Sequence, residues 1–294
     1  MNGEDAPLVS IVTPSYNQAR YLEETIRSVL AQDYPRLEYL VVDGGSDDGS
    51  IAVIERYADR LAWWTSEPDG GQAAALNKGF ARASGEIVGW LSSDDTLLPG
   101  AVARVVAELE RVRDAQLVYG EALFVDERGQ ELFPLPPRPF DVEAMVRACA
   151  NHVVQPGSLF RRGALDLAGP LDEEAHYLFD FQFALRLWQA GGKAAAVPDR
   201  LATYRVHADS KSGGGTLLKA RDYVRFADRF LAGSGLPAEA EGRASAYLAA
   251  GDYFYAARRL GEARRYLLRS VLRRPTRRGL ALLARAWGRS LARR

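Results

Sequence analysis

Along residues 8–120, the spacing of apolar residues alternates between a pattern typical of strands and one typical of helices. Short apolar runs closed by glycine, proline or aspartate are typical of buried strands; these runs are "LVSIVTPS" (8–15), "LEYLVVDGG" (37–45), "LAWWTSEPDGG" (61–71) and "EIVGWL" (86–91). Between them, apolar residues recur at three- to four-residue spacing, which predicts helices over 21–31, 51–57, 73–83 and 101–112. "LVYG" and "ALFVDERGQELF" predict two further strands, the second of which folds into a hairpin with "DERG" as its turn.

This alternation of strands and helices predicts an α/β fold with a mostly parallel, Rossmann-like sheet and helices on both faces. In such sheets ligands bind in the crevice at the carboxyl ends of the strands. The segments expected at those ends are all polar: "PSYN", "DGGSDDGS", "SEPDGGQ" and "SSDD". We therefore expect one polar crevice that collects these four loops.

The remainder of the chain is organised differently. "PLPPRP" (134–139) predicts a stiff connector. From residue 216 onward the pattern is almost wholly helical, and "ASAYLAAGDYFYAARRLGEARRYLLRSVLRRP" predicts a pair of antiparallel helices. Residues 211–215 have the composition of a flexible segment.

Composition limits the class of protein. With 294 residues, of which 47% are hydrophobic and 26% charged, the chain resembles a soluble globular protein. It contains no apolar run of about 18 residues, and "MNGEDAP" at its N-terminus argues against a signal peptide. Cys149 is the only cysteine, so an internal disulfide is excluded. We expect a cytoplasmic location.

The zero net charge conceals a strong asymmetry. No acidic residue follows Glu262, whereas eleven arginines lie between Arg264 and Arg294, and the rest of the chain holds 27 basic against 38 acidic residues. In "ARRYLLRSVLRR" the arginines alternate with apolar residues, a pattern compatible with peripheral binding to an anionic membrane surface. A helical cap docked on the acidic part of the chain explains the asymmetry equally well. No recognition motif accompanies the charge, so nucleic acid is not expected as a partner.

The most informative stretch is "VGWLSSDDTLLPGA", in which an apolar strand ends in Asp94 and Asp95. Adjacent ionised carboxylates repel each other, so they are expected to be solvated or to meet a cation. A solvated turn or helix cap is the common case. Beside the predicted crevice, however, hard oxygen ligands suit Mg²⁺ or Mn²⁺, which bind one or two carboxylates together with phosphate oxygens.

The first two strand ends offer groups for a nucleobase. Tyr16 presents an aromatic ring on which a base could stack, although a tyrosine that plugs the strand end is the alternative. Asn17 is placed to begin the next helix. Asp43 can accept the N3–H of uracil or thymine, which cytosine lacks. The polar residues that follow are expected to cap the second helix: Asp47, Asp48 and Ser50.

Taken together, these motifs resemble the inverting family 2 glycosyltransferases with the GT-A fold, especially bacterial members that build surface polysaccharides. The likeness covers about residues 8–212 and rests on five motifs in order: "VSIVTPSYNQARYLEETIRSVLAQDYP", "VVDGGSDDGS", "SEPDGGQAAALNKGFARASGEIVGWLSSDD", "FDFQFALRL" and "YRVHADSKS". The resemblance implies a nucleotide-sugar-binding half at 1–125 and an acceptor-binding half at 126–215, and the residue pattern adds a helical, arginine-rich extension at 216–294.

The resemblance also implies roles for matching residues. Nucleotide-binding positions are Pro14, Tyr16, Asn17, Asp43, Asn77, Lys78, Ser93 and Asp94; metal-binding positions are Asp94, Asp95 and His207. On the acceptor side it points to His152 and Gln155. Two positions depart from the family pattern, because many members have an acid or Asn at Ser92 and an Asp at Ala74.

Asp180 matches the catalytic base of the family. Without the resemblance, a carboxylate at a helix start is most simply a cap; with it, Asp180 takes the proton of the attacking acceptor hydroxyl. Arg205 and Lys211 could meet phosphate from a segment that closes over the donor.

The expected function is therefore metal-dependent transfer of a hexose, with inversion, from a UDP-sugar or, less favoured, a dTDP-sugar to a glycan or lipid-linked acceptor. The expected cofactor is Mn²⁺ or Mg²⁺. The alternative is a catalytically silent nucleotide-sugar sensor or scaffold. A sugar-nucleotide pyrophosphorylase is disfavoured, because its glycine-rich, basic triphosphate-binding start is absent from the first strand end.

Overall fold

The computed structural model describes residues 5–208, 210–211 and 216–291. The predicted flexible segment therefore lies largely outside the described residues, as do Arg293 and Arg294. By packing, the chain divides into two compact units. The described residues of Met1–Phe140, His152–Glu174 and Phe183–Ser210 form the first unit, and those of Asp141–Asn151, Ala175–Gln182 and Lys211–Arg294 form the second. The functional halves 1–125 and 126–215 and the extension 216–294 stay predictions.

The described residues of the first unit form nine strands. They are β1 (Val9–Ser15), β2 (Leu37–Asp43), β3 (Trp63–Ser66), β4 (Ile87–Trp90), β5 (Thr96–Leu97), β6 (Ala115–Val125), β7 (Glu131–Leu135), β8 (Leu159–Arg161) and β9 (Lys193–Arg205). Its helices are α1 (Ala19–Leu30), α2 (Ser50–Glu55), α3 (Gln72–Arg82), α4 (Ala101–Arg111) and α6 (Gly163–Ala168). The helix α5 (Val142–Ala148) belongs to the second unit, and the division falls within α7 (Phe179–Gln189).

The strands form one sheet in the order β3-β2-β1-β4-β8-β6-β9-β5, and β7 pairs with the side of β6. The strands β3, β2, β1 and β4 run parallel, as the strand–helix alternation predicts. Beyond β4 the sheet becomes mixed, because β8 pairs antiparallel with both β4 and β6, whereas β6 and β9 are parallel. The α/β fold class with a Rossmann-like parallel core is confirmed.

Apolar periodicity explains why α1 lies where it does. Leu22, Ile26 and Val29 fall on one face of the helix at helical spacing, and all three are fully buried. They belong to the same core as Val9 and Ile11 of β1. The helix thereby covers the sheet directly after the first strand end.

The sequence interpretation of β6 was wrong in one respect. "LVYG" and "ALFV" belong to one strand rather than two. A Cβ at Gly120 would lie 2.6 Å from the Asp199 backbone oxygen in β9. This glycine therefore allows the neighbouring strand to approach closely without interrupting β6. The register against β9 shifts at the same place. The "DERG" turn is confirmed, but the predicted connector 134–139 begins inside β7.

The second unit is helical. It contains α5, the start of α7, α8 (Thr216–Arg225), α9 (Glu239–Ala256), α10 (Leu260–Arg273) and α11 (Arg277–Leu291), and a π-helical turn (Phe226–Phe230) follows α8. The predicted antiparallel pair is confirmed as α9 and α10: Ser270 bonds to Ala244, whereas Phe254 packs on Tyr266. Among the residues that the structure describes, no helix has the length and apolar character needed to cross a bilayer.

Gly89 provides a test of the sheet that leads to the turn after β4. This turn contains Asp94 and Asp95 and is called the acidic turn below. A Cβ at this position in β4 would lie 2.4 Å from Leu159 Cδ2 and 2.8 Å from the Ser158 backbone oxygen. We expect Gly89→Ala to lower the free energy of unfolding by about 1–3 kcal/mol, because the added methyl overpacks the β4–β8 contact. Denaturant titration followed by circular dichroism measures this change.

The matched control is Gly163→Ala at the start of α6, where the nearest atom to an added Cβ is Gln116 Oε1 at 4.0 Å. This variant should unfold at the wild-type denaturant concentration or above it. Equal stability of Gly89→Ala and wild type would contradict the tight packing of β4 on β8.

Candidate functional site

The acidic turn that follows β4 is anchored by its second carboxylate. Asp95 is 2% exposed, and its Oδ1 accepts a hydrogen bond from the Arg205 backbone N–H at 2.8 Å. The Asp95 backbone oxygen accepts a second bond, from Thr25 Oγ1 of α1, at 2.7 Å. Burial, together with the neighbouring Asp94 charge, raises the pKa of Asp95 well above its ordinary value. Asp95 thus ties the turn to β9 and α1.

The Arg205 guanidinium completes this anchor from the end of β9. Its side chain is 3% exposed; Nε donates to the Asp94 backbone oxygen at 2.9 Å, and Nη2 pairs with Glu24 at 2.7 Å. The same guanidinium lies over the Tyr21 ring at 5.0 Å. The structure therefore gives Arg205 a role in holding the turn, in contrast to the phosphate contact expected from the sequence.

The first carboxylate of the turn points elsewhere. Asp94 Oδ2 lies 3.1 Å from His207 Nε2, and the two side chains are 17% and 3% exposed. The His207 ring packs on Tyr21 at a centroid distance of 4.6 Å, which fixes its orientation. The buried Tyr21 hydroxyl has no hydrogen-bond partner within the described part of the chain. The structure thus brings together Asp94 and His207, two of the three metal-binding residues predicted from sequence.

A divalent ion fits this pair only with help from other ligands. Within residues 5–208, 210–211 and 216–291, no three His, Cys, Asp or Glu side chains are grouped as a metal site. Asp95 is turned into β9 and is not available beside Asp94. A carboxylate oxygen and an imidazole nitrogen are nevertheless suitable ligands for Mn²⁺, and such ions take their remaining ligands from phosphate and water. The donor set is therefore compatible with a cation that binds together with a diphosphate.

Asp43 lies at the carboxyl end of β2, opposite Ser15 of β1. It is fully buried, and its carboxylate accepts hydrogen bonds from Ser46, Gly45 and Ser66 at 2.6–3.1 Å. The buried Ser15 hydroxyl beside it has no partner among the residues described. Asp43 thus shapes the loop that follows β2, and its contact with a base stays a prediction.

The loop after β1 differs from the sequence expectation. Tyr16 is 63% exposed, so it does not plug the strand end. Asn17 adopts a left-handed conformation (φ 51°) and does not begin α1, which starts at Ala19. Its side-chain oxygen instead accepts the Asp47 N–H at 3.0 Å.

The residues expected to cap α2 mainly serve the start of α1. Asp48 Oδ2 accepts the Ala19 N–H at 2.8 Å, while Asp48 Oδ1 accepts the Ser50 N–H at 3.0 Å. The N-cap residue of α2 is Gly49, which has no side chain to cap the helix, and Asp48 directly before it bridges both helix starts. The two loops that follow β1 and β2 are therefore joined.

Other residues predicted to contact the nucleotide have partners within the first unit. Pro14 lies inside β1, paired with Val42, and so does not end the strand. Asn77 bonds through its amide to Leu171 and Glu173, and Lys78 pairs with Glu67 at 2.8 Å.

The serines before Asp94 differ in their surroundings. Ser93 is buried, whereas the Ser92 hydroxyl accepts a bond from Gln72 at 3.3 Å. The nucleotide-binding roles of all these residues stay predictions.

The two acceptor-side candidates also have structural partners. His152 Nδ1 lies 2.9 Å from the Pro139 backbone oxygen, and Gln155 Nε2 donates to the Trp90 backbone oxygen at 2.8 Å. Gln155 therefore fastens residues 152–158 to the end of β4. Their contact with an acceptor stays a prediction.

Asp180 lies in the second unit, in the first turn of α7 as predicted. Its Oδ1 accepts the Phe181 N–H at 2.7 Å, and its Oδ2 accepts from the Asn151 side chain at 3.1 Å. Burial raises the pKa of Asp180 above its ordinary value. A raised pKa moves a carboxylate towards the range in which it can accept a proton during catalysis at neutral pH.

Sequence reasoning named Arg205 only as a phosphate contact, and it missed Glu24, Tyr21 and Asp69. Arg205, Glu24 and Tyr21 hold the acidic turn, and Asp69 lies beside the β2 loop, 3.2 Å from where a Gly44 Cβ would be. A hint for Asp69 was its place in "EPDGG" at a predicted strand end. Glu24 and Tyr21 carried no such hint, since they lie on an ordinary amphipathic helix.

Comparison with known proteins places this geometry in a family. The family described as "Glycosyl transferase family 2" matches residues 10–166, which is more than half of the chain. An uncharacterized glycosyltransferase of Mycobacterium tuberculosis is 43% identical over 106 residues, or 35% of this chain and 40% of that relative. One from Nostoc sp. is 28% identical over 221 residues, or 68% of this chain and 65% of the relative. The match thus spans less than two thirds of either relative's length.

Solved structures agree on the fold. S. aureus TarS in complex with UDP-GlcNAc has a TM-score of 0.66 at 16% identity, covering 94% of this chain and 84% of that one. The mannosyltransferase PcManGT from Pyrobaculum calidifontis, in complex with GDP-Man and Mn²⁺, has a TM-score of 0.59 at 22% identity, covering 98% and 82%. These likenesses show the GT-A fold. The family match over residues 10–166 shows that the chain belongs to glycosyl transferase family 2.

Proposed function

We propose that this protein transfers a sugar, with inversion, from a nucleoside diphosphate sugar to an acceptor hydroxyl with the help of a divalent cation. The observation that carries the proposal is the meeting of Asp94 and His207 at the carboxyl end of β4, 3.1 Å apart. These residues are 113 positions apart in the sequence, and a buried arginine fixes the turn that bears one of them. Family membership supports the same reaction class.

Asp94 and His207 would hold Mn²⁺ or Mg²⁺ through one carboxylate oxygen and one imidazole nitrogen. When bound, the cation would neutralise the charge of the departing diphosphate. The protein's own contribution is to fix these two groups before the donor arrives: Arg205 holds the turn, and Tyr21 orients the imidazole. Such preorganisation lowers the barrier because the groups need not reorganise during the reaction.

The chemistry on the acceptor is assigned to Asp180. Its carboxylate would take the proton of the acceptor hydroxyl as that oxygen attacks the anomeric carbon. Attack from the face opposite the leaving diphosphate inverts the anomeric configuration. The raised pKa of Asp180, caused by burial, favours this role.

For the donor we propose a UDP-sugar, with a dTDP-sugar as the second choice. Asp43 at the end of β2 is the group proposed to accept N3–H of the base, and the exposed Tyr16 ring to stack on it. TarS binds UDP-GlcNAc and PcManGT binds GDP-Man with Mn²⁺, which supports a nucleotide sugar and a divalent cation.

The proposed acceptor is a glycan or lipid-linked sugar in polysaccharide biosynthesis, reached at a membrane surface. The C-terminal helices carry the observations that support this. Exposed apolar side chains of α10 and α11 lie among arginines; they are Leu268, Leu272, Leu280 and Trp287. Amphipathic basic helices with tryptophan bind anionic lipid surfaces in this manner.

Turnover of a donor tests the proposed reaction. With Mn²⁺ and a panel of UDP- and dTDP-sugars, we expect release of the nucleoside diphosphate that EDTA abolishes. Asp180→Asn should lower this rate on the order of 10²-fold, because it removes the proton acceptor, while UDP affinity stays unchanged. Asp141→Asn is the matched control, since Asp141 caps α5 in the same unit and Asn caps equally well.

Two results would overturn the proposal. Wild-type turnover by Asp180→Asn would remove that residue as the base. Nucleotide-sugar binding without turnover across the donor panel and added glycans would favour the sensor or scaffold instead.

Binding to anionic vesicles tests the membrane contact. Deletion of 263–294 is unsuitable, since Ala263, Leu267 and Ser270 of α10 are buried. The double variant Arg274→Gln, Arg277→Gln alters two exposed side chains instead. We expect its binding to vesicles of phosphatidylserine and phosphatidylcholine to weaken by roughly 2 kcal/mol, or on the order of 10-fold or more, at about 1 kcal/mol per charge.

The matched control neutralises two exposed arginines of the first unit, Arg128 and Arg138. It changes the net charge equally and should leave vesicle binding at the wild-type level. Equal binding by both double variants would remove the C-terminal helices as a membrane-binding surface.

A further inference from the structure

The start of α7 is fastened by a carboxylate from α8. The backbone N–H groups of Tyr177 and Leu178, which directly precede α7, both donate to Asp222 Oδ2, at 2.6 and 3.0 Å. Asp222 is 4% exposed. Amides at a helix N-terminus lack partners within the helix, and a negative charge there is favoured by the helix dipole. Asp222 therefore supplies, from α8, a hydrogen-bond acceptor for the two amides at the start of α7.

Asp180 lies two residues after Leu178. The orientation of the Asp180 carboxylate depends on the backbone path through 177–181. The two bonds that Asp180 accepts, from Phe181 and Asn151, are made only if this path is kept. Displacement of Leu178 would therefore displace the Asp180 carboxylate.

A second contact holds the same turn on its other side. Phe181 packs on Phe226, with ring centroids 5.2 Å apart, and both residues are at most 1% exposed. Phe226 begins the π-helical turn that continues α8. The residues on both sides of Asp180 are thus bound to one helical segment, by hydrogen bonds before it and by aromatic packing after it.

Lys211 adds a charge to this cluster. Its ammonium group lies 5.5 Å from the centre of the Tyr177 ring and 4.8 Å from that of Phe179. Burial lowers the pKa of Lys211 to about 8, while Asp180 and Asp222 act in the opposite direction. The cation therefore lies on the turn that Asp222 holds, close enough to interact with both carboxylates.

We propose that Asp222 is a positioning residue for Asp180: by accepting the Tyr177 and Leu178 N–H bonds, it fixes the turn that aims the base. The proposal rests on the proposed function, in which Asp180 is that base. It makes α8, which lies beyond the residues matched by the family, part of the apparatus that orients the reactive carboxylate. Asp222 acts through Asp180 and contacts no substrate in this scheme.

The test compares two nearly isosteric substitutions in the full-length chain. Asp222→Asn keeps an oxygen that can accept both amide bonds, whereas Asp222→Leu keeps the shape and removes the acceptor. The readouts are kcat and KM for UDP release from the UDP-sugar turned over fastest, with Mn²⁺, and hydrogen exchange at the amides of Tyr177 and Leu178.

We expect Asp222→Leu to lower kcat about 10- to 100-fold, since displacement of a reacting group by about 1 Å has effects of that size. The donor KM should stay within about twofold, because the change concerns the base and not donor binding. Asp222→Asn should recover most of kcat and retain slow exchange at both amides. If Asp222→Leu does not fold, Asp222→Ala provides the same comparison.

The matched control for a merely structural effect is Asp228→Ala. Asp228 lies in the π-helical turn of the same segment and accepts a bond from the Tyr247 hydroxyl. Its loss should lower the melting temperature while kcat stays at the wild-type value.

Three results would overturn the proposal: wild-type kcat in a folded Asp222→Leu, equal loss in Asp222→Asn and Asp222→Leu, or equal loss of kcat in Asp228→Ala. Failure of the proposed function looks different. In that case the wild type releases no UDP or Asp180→Asn retains full activity, and the inference about Asp222 is then rejected with it. An active wild type, an inactive Asp180→Asn and an unaffected Asp222→Leu would reject Asp222 alone.

Discussion

One buried guanidinium sets the geometry on which the proposed site depends. Arg205 lies between the acidic turn and α1, where it bonds to the Asp94 backbone and to Glu24. A buried charge is costly unless it is paired and hydrogen-bonded, and this one has both kinds of partner. Because the Arg205 backbone N–H donates to Asp95, the Asp95 carboxylate points to β9, whereas that of Asp94 points to His207. This separation is how a buried strand can end in two aspartates.

The two proposed functional aspartates have different surroundings. Asp43 accepts bonds from three residues around its loop, so its charge is supported by donors on several sides. Asp180 accepts bonds from its immediate neighbour Phe181 and from Asn151, and burial has the largest effect on its pKa, which it raises. Strong solvation by donors suits a fixed acceptor, whereas weaker solvation suits a carboxylate that takes a proton.

The sequence was sufficient for the fold and for the positions of several candidate residues along it. The alternation of strand and helix patterns predicted the parallel core, because the helices between parallel strands bury both faces of the sheet. The ends of the predicted strands located Asp43 and Asp94. The resemblance supplied Asp180 and His207. The roles of Asp95 and Arg205 could not be predicted, since the direction of a side chain in a turn depends on partners about 110 residues away. Asp222 was missed for the same reason, as nothing within α8 marks it as a cap for α7.

The central claim is that Asp94 and His207 together bind the cation that accompanies the diphosphate. Pulsed electron paramagnetic resonance of Mn²⁺ with UDP and the protein measures this directly, because a coordinated imidazole couples its ¹⁴N nucleus to the metal electrons. The account predicts a ¹⁴N coupling in the wild type that disappears in His207→Gln and a Mn²⁺–UDP complex that does not form on Asp94→Asn. A wild-type complex without ¹⁴N coupling, or an unchanged complex on Asp94→Asn, would contradict it.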